Sequence, residues 1–262
     1  MYKLHLSPRR VTFVLIAIVA GLLVGGVLTQ YIKLFYGHDV QLGLVRLLAL
    51  DGEDNLPCWY SSVQLLLSSV ALAVIGLSRK QEKNPYGWHW LTLSVLFLCL
   101  AIDEASSIHE MAAPPIERWF QAGHLNSVSW LVGTPWLLAG IPFTISVFLV
   151  FVRFLWHLPR ATMALFLIGG GLYVSGAVGI EDLAGHYLVN PGADETFTYQ
   201  IMVTIEEGLE MVGIVVFLYG LMAYMATHRI SLEVIVSHEP FPKAVASEFL
   251  AEGREDHFPS SR

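Results

Sequence analysis

Charge is scarce in this 262-residue chain: only 14% of its residues are Asp, Glu, Lys or Arg, while 55% are hydrophobic. Soluble domains carry roughly 25% charged residues, and a mean hydropathy of +0.58 agrees that lipid is the main solvent. Cysteine is nearly absent. Cys58 and Cys99 lack metal-motif spacing, and one falls at a span edge while the other lies well inside the next span, so a disulfide is not favoured. No repeat of 20–50 residues and no low-complexity tract stands out. No basic stripe interleaved with aromatics argues for nucleic acid, which is excluded as a partner. The metalloprotease pattern His-Glu-x-x-His is missing, because His109-Glu110 runs into MAAPP, and so is the repeated Glu-x-x-His of di-iron bundles.

Long apolar runs are what the chain has instead. Six are long enough for a hydrocarbon core, which takes about 20 helical residues; they lie near 11–29, 57–78, 88–110, 128–152, 161–187 and 198–227. The expected fold is therefore all-α: a polytopic membrane bundle of six transmembrane helices over 1–227, with a polar tail at 228–262 that is flexible or a short surface helix. The first run follows Arg9 and Arg10 as a signal peptide would, but it is longer than a signal core and lacks a clean small-residue cleavage site, so it reads as a span. Among the 15 Lys and Arg, only Lys33, Arg46 and Arg118 fall on the side opposite the termini. The positive-inside rule thus predicts N-in/C-in topology, with the tail cytoplasmic. QLGLVRLLAL at 41–50 and PPIERWF at 114–120 suit amphipathic helices lying at the outer interface.

Small residues predict the packing. Gly21 and Gly25 form one four-residue pair, and Gly171, Ser175 and Gly179 continue that spacing through the fifth span, letting backbones approach in lipid. Pro135 and Pro142 are expected to kink span four. Pro57 and Asn55 suit the first turn and the cap of span two, with Trp59 and Tyr60 as interface anchors. Trp88, Trp90, Trp130 and Trp136 read as belt or packing residues, and His38 and His124 as surface residues of outer loops.

Ionisable groups inside a span cost roughly 2.5–3.5 kcal/mol each near its centre, yet three spans carry them toward one side. DEASSIHE supplies Asp103, Glu104, His109 and Glu110; IEDLAGHY supplies Glu181, Asp182 and His186; TIEEGLEM supplies Glu206, Glu207 and Glu210. At 1.5 Å per residue, Asp103, Glu181 and Glu206 each sit about 9–12 Å inside the outer boundary. At 100° per residue Asp103 and Glu110 share a face beside Ser106, Asp182 faces with His186, and Glu206 with Glu210, whereas Glu104 and Glu181 turn away. No span holds a Lys or Arg to pair with these acids. Some must keep protons, or a cation must sit among them. Two histidines among carboxylates suit zinc, iron or manganese. Asp103, His109, Glu110, Asp182, His186, Glu206 and Glu210 are thus candidate ligands of a divalent metal ion. Glu207 and Ser106 are candidate catalytic groups, Glu207 as general acid or base. Asp51 or Asp54 could reach over the site from above. Acids lining a water-filled vestibule are the simpler alternative.

The LDGEDNLPCWYSS and DEASSIHE runs resemble a family of uncharacterised bacterial multi-pass membrane proteins, over about 50–225. That resemblance implies an inner-membrane location and carries no activity with it. Asp103, Ser106 and His109 also resemble a motif of the alkaline ceramidase-like membrane hydrolases. Six spans and the lack of a late paired-histidine motif depart from that family, whose identity is not carried over. The functional expectation is a metal-dependent membrane enzyme, hydrolytic or redox, acting on a lipid or other apolar substrate from the extracytoplasmic side. A proton- or cation-handling transporter or channel is the first alternative, and a non-catalytic subunit or assembly factor the second. Against transport, the inner half of the bundle has almost no ionisable residues, and no inverted repeat is evident.

Overall fold

The computed structural model describes residues 7–36, 43–50, 52, 55–122 and 133–231. Expectations for His38, Asp51, Glu53, Asp54, His124, Trp130 and the tail beyond Ser231 lie outside these residues. The described chain is all helical: α1 (Pro8–Tyr36), α2 (Leu44–Leu48), α3 (Leu56–Gln81), α4 (Gly87–Ser106), α5 (Ile108–Ala122), α6 (Leu137–His157), α7 (Arg160–Val174), a π-helical segment (Ser175–Ile180), α8 (Glu181–Leu188) and α9 (Phe197–Thr227). Among the described residues six helices are long and apolar enough to cross a membrane, the fifth being the continuous run Arg160–Leu188.

Local chemistry sets several boundaries. The Asn55 side chain accepts the Cys58 N–H at 2.9 Å, and Pro57 occupies the first turn, so α3 starts with one orphan donor satisfied and one absent. Thr196 caps α9 by accepting from Tyr199 N. Ser107 adopts φ 47°, which ends α4 and starts α5 in a new direction. The run 88–110 is therefore two elements, not one. Asp103 stands only about one turn from the end of its span, shallower than sequence counting places it. Pro135 likewise lies before α6, and only Pro142 is inside the helix.

The central helix is α9, packed on α1, α3, α7, the π segment and α8. Its closest approach uses glycines other than the predicted ones. A methyl on Gly169 would meet Gly213 O at 2.8 Å, one on Gly213 would meet Gly169 O at 2.7 Å, and one on Gly176 would meet Glu206 O at 2.7 Å, whereas Gly21, Gly171 and Gly179 have nothing within 4 Å. Tyr60 is also no interface anchor: it is buried, and its hydroxyl donates to Leu15 O at 2.9 Å. Trp59 is exposed, as an anchor would be.

At the end carrying the termini, α4, α6, α7 and α9 close on an aromatic plug. Trp90 and Phe154 meet edge to face at 5.0 Å between ring centroids, and Phe166 and Phe217 lie 4.3 Å apart with their rings tilted by 33°. Such pairs contribute about 0.5–1.5 kcal/mol beyond the area they bury. Toward the other end α6 leans on α7 and the π segment, and the four helices splay.

Candidate functional site

The splay encloses a cavity of about 1380 Å3 between α4, α6, α7 and α9, roofed by the first turns of α5. Its deep arm is apolar, walled by Leu96, Phe97, Phe148, Phe151 and Phe166. Its other end is acidic. Asp103, Glu104, Glu110, Glu181, Glu206, Glu207 and Glu210 line it together with His109, and no Lys or Arg is among the described lining residues. Phe143 and Ile145 stand about 200° apart on α6, yet both line the cavity and both are 54% exposed. The space therefore passes beside α6 to the helix's lipid-facing side.

Asp103 organises the acidic end. One carboxylate oxygen accepts the His109 backbone N–H at 2.9 Å, a first-turn donor of α5 with no intrahelical acceptor. The other meets His109 Nδ1 at 2.9 Å. The same side chain thus caps a helix and fixes an imidazole, leaving Nε2 for the cavity. The Trp136 ring packs on His109 at 5.0 Å between centroids, and its Nε1 donates to Glu181 Oε1 at 2.6 Å. Four residues from four segments form one connected chain. Burial opposes charge on His109, but the hydrogen bond and negative charge of Asp103, helped by Glu181 and Glu110, outweigh it and raise the imidazole pKa above the ordinary histidine value.

The sign of that shift gives a test. A raised pKa means that the stability contributed by the Asp103–His109 pair is complete below the ordinary histidine pKa and is lost as pH rises through the raised value. Asp103→Asn removes the main cause, so the His109 ring signal in an NMR titration is expected to move at lower pH in that variant.

The second predicted face does not join the site. Glu181 enters the cavity, while Asp182 and His186 are not among its lining residues. The π segment is the reason, since its wider turn changes the phase of everything after it. Asp182 Oδ1 instead accepts the Gly133 N–H at 2.8 Å, and His186 Nδ1 lies 2.8 Å from Asp182 O. Asp182→Ala leaves that N–H without its acceptor and is expected to lower stability by about 1 kcal/mol, read as the unfolding midpoint in detergent. Ser106 is exposed, and Ser107 takes the cavity side. Asp103, His109, Glu110, Glu206, Glu207 and Glu210 all line the cavity. Glu104, Glu181, Trp136 and Tyr173 join them without having been singled out for the site.

Span two supports this end from behind. Cys58 Sγ donates to Glu104 O at 2.8 Å and Ser62 Oγ to Ala101 O at 2.7 Å. Ser61 is fully buried, with its hydroxyl set toward the Glu104 carboxyl. One turn on, Gln64 is equally buried and reaches toward the Tyr60 hydroxyl. Neither cysteine is part of a disulfide.

Among the described residues no group of three or more His, Cys, Asp or Glu is disposed to hold an ion. The two histidines expected to share one are separated, His109 on the cavity wall and His186 off it.

No curated protein and no solved structure matches this chain. A family profile described as a domain of unknown function, DUF8692, matches residues 11–225. The chain with this carboxylate-lined cavity therefore belongs to the DUF8692 family.

Proposed function

We propose that the protein is a membrane enzyme that performs acid–base chemistry on an amphiphile taken from the bilayer. The observation that carries this reading is the double hold of Asp103 on His109 at the polar end of an apolar cavity that opens beside α6. A carboxylate on Nδ1 fixes the tautomer and leaves Nε2 to exchange a proton with a bound group. The apolar arm supplies the binding, at a volume above the roughly 300–1,000 Å3 usual for small-molecule pockets. Basic residues concentrate at the other end of the bundle, which supports cytoplasmic termini and an extracytoplasmic site in the inner membrane.

The test is product formation. Purified protein is reconstituted with lipids extracted from its native membrane, and the lipids are compared by mass spectrometry with those incubated with His109→Gln. A product made by both proteins alike sinks the proposal.

A metal-dependent version has one observation in its favour: a carboxylate on the far nitrogen of an imidazole is also how metal-ligating histidines are oriented. Elemental analysis separates the two. Stoichiometric metal, with activity lost on chelation, would favour the metal enzyme; activity that survives chelation favours His109 alone.

A further inference from the structure

We infer that Trp136 is the positioning residue of this site, holding the His109 ring in the plane from which Nε2 meets a bound amphiphile. The inference rests on the reading above that His109 is the acid–base group, and adds what keeps that group in place.

An imidazole hung on one hydrogen bond is underdetermined. Asp103 holds His109 Nδ1 at 2.9 Å, but the last torsion of a histidine side chain is broad rather than sharply staggered. The ring can still rock about that contact and carry Nε2 with it. Trp136 supplies a second stop, on the ring itself, with 5.0 Å between centroids and 59° between planes. Its Nε1 donates to Glu181 Oε1 at 2.6 Å, so the stop is in turn tied to the start of α8.

Glycines build the seat for this indole. Gly140, four residues on from Trp136, is buried, and a methyl there would overlap the indole, 2.7 Å from its Cε3 and closer still to its Cζ3. Any larger residue at 140 pushes the ring away. Upstream, the chain entering α6 lies directly on the backbone of α8. A methyl on Gly133 would run into Asp182 O and His186 N, and one on Gly185 would come 2.5 Å from Gly133 C and 2.6 Å from Thr134 Oγ1. The Gly133 N–H closes this crossing on Asp182 Oδ1 at 2.8 Å. Trp136 therefore hangs from the same short helix that begins with Glu181, and backbone contacts set where the two meet.

A belt tryptophan would turn its N–H toward the headgroups. Here the ring and the N–H both meet residues that line the cavity. Such a support matters because a misplacement of about 1 Å at the reacting group can slow a reaction about a hundredfold.

The experiment uses the full chain in nanodiscs with isotope-labelled histidine rings, the His109 signal being the one absent from His109→Gln. Relaxation of that signal reports the order of the ring on the ps–ns scale. A rigid His109 ring is expected in the unaltered protein and a mobile one in Trp136→Leu. Gly140→Ala alters neither residue and favours the helix, yet it should free the ring as well, by displacing the indole. Where Trp136→Leu fails to fold, Gly140→Ala decides. A mobile ring in the unaltered protein, or an equally rigid one in either folded variant, overturns the proposal. Where a His109-dependent product forms, both variants should make it about ten- to a hundredfold more slowly. The two readings fail separately. Ring order lost in the variants, with no His109-dependent product, leaves Trp136 as the holder of His109 and removes the enzyme; a His109-dependent product made at the normal rate by Trp136→Leu does the reverse.

Discussion

Replacing His109 with glutamine is expected to slow turnover by roughly 10²- to 10⁴-fold, the contribution of a well-placed acid–base group. Glutamine matches the imidazole in reach and can still meet Asp103, but its amide does not exchange a proton near neutral pH. Asp103→Asn should fall between the two proteins. The asparagine oxygen can still accept the backbone N–H of His109 that Asp103 holds at 2.9 Å, so the start of α5 survives, while the hold on Nδ1 weakens and the ring is free to take the other tautomer. The measurement is the initial rate of product formation in reconstituted bilayers, alongside unfolding midpoints. If His109→Gln turns over at the normal rate with an unchanged midpoint, His109 has no part in the chemistry and its contact with Asp103 is a helix cap alone.

Opposite signs are expected at glycines of similar appearance. Gly213→Ala puts a methyl 2.7 Å from the carbonyl of Gly169 across the α7–α9 crossing, where backbone rather than a flexible side chain must move. Overpacking of this kind costs about 1–3 kcal/mol. Helices in lipid are held by close packing rather than by expulsion from water, so that loss falls on the main source of cohesion. Gly171→Ala meets nothing within 4 Å and gains the helix preference of alanine, about 0.5–1 kcal/mol. Thermal unfolding in one detergent, followed by helical signal and by retention of a monodisperse peak, compares them directly. A Gly213→Ala protein as stable as Gly171→Ala would show that the crossing can relax at no cost.

The same pair shows how far sequence reading reaches. Six spans are legible because hydropathy needs only a run of apolar residues, and α9 at Phe197–Thr227 lies within a residue of the run read at 198–227. Which small residues meet is not legible from four-residue spacing alone. Gly171, Ser175 and Gly179 carry the repeat, while Gly169, Gly176, Gly213 and Gly220 carry the contacts. The site divides in the same manner. Depth along each helix is enough to gather Asp103, His109, Glu206, Glu207 and Glu210 at one end. Facing is another matter, since counting 100° per residue assumes an unbroken α-helix. Ser107, at φ 47° without being glycine, breaks the count in span three, so Asp103 and Glu110 are neighbours through a turn and not through a shared helical face. Trp136 was hidden for a different reason. Its link to Glu181 joins segments 45 residues apart, and no local pattern reports such a contact.

The π segment at Ser175–Ile180 also implies an unusual sensitivity to length. One extra residue in a turn delays all that follows by about 100°, and this offset keeps Glu181 on the inside and Asp182 and His186 on the outside. Removing a single residue there would restore a regular α-turn and keep that phase, whereas removing one from the α-helical turns of α7 would rotate those three side chains by about 100° and uncouple Gly133 from its carboxylate. Between Arg160 and Leu188, then, insertions and deletions outside the π turn should be purged far more strictly than exchanges of one apolar residue for another. Relatives of this chain should differ in length over that stretch, where they differ at all, by the one residue of the π turn.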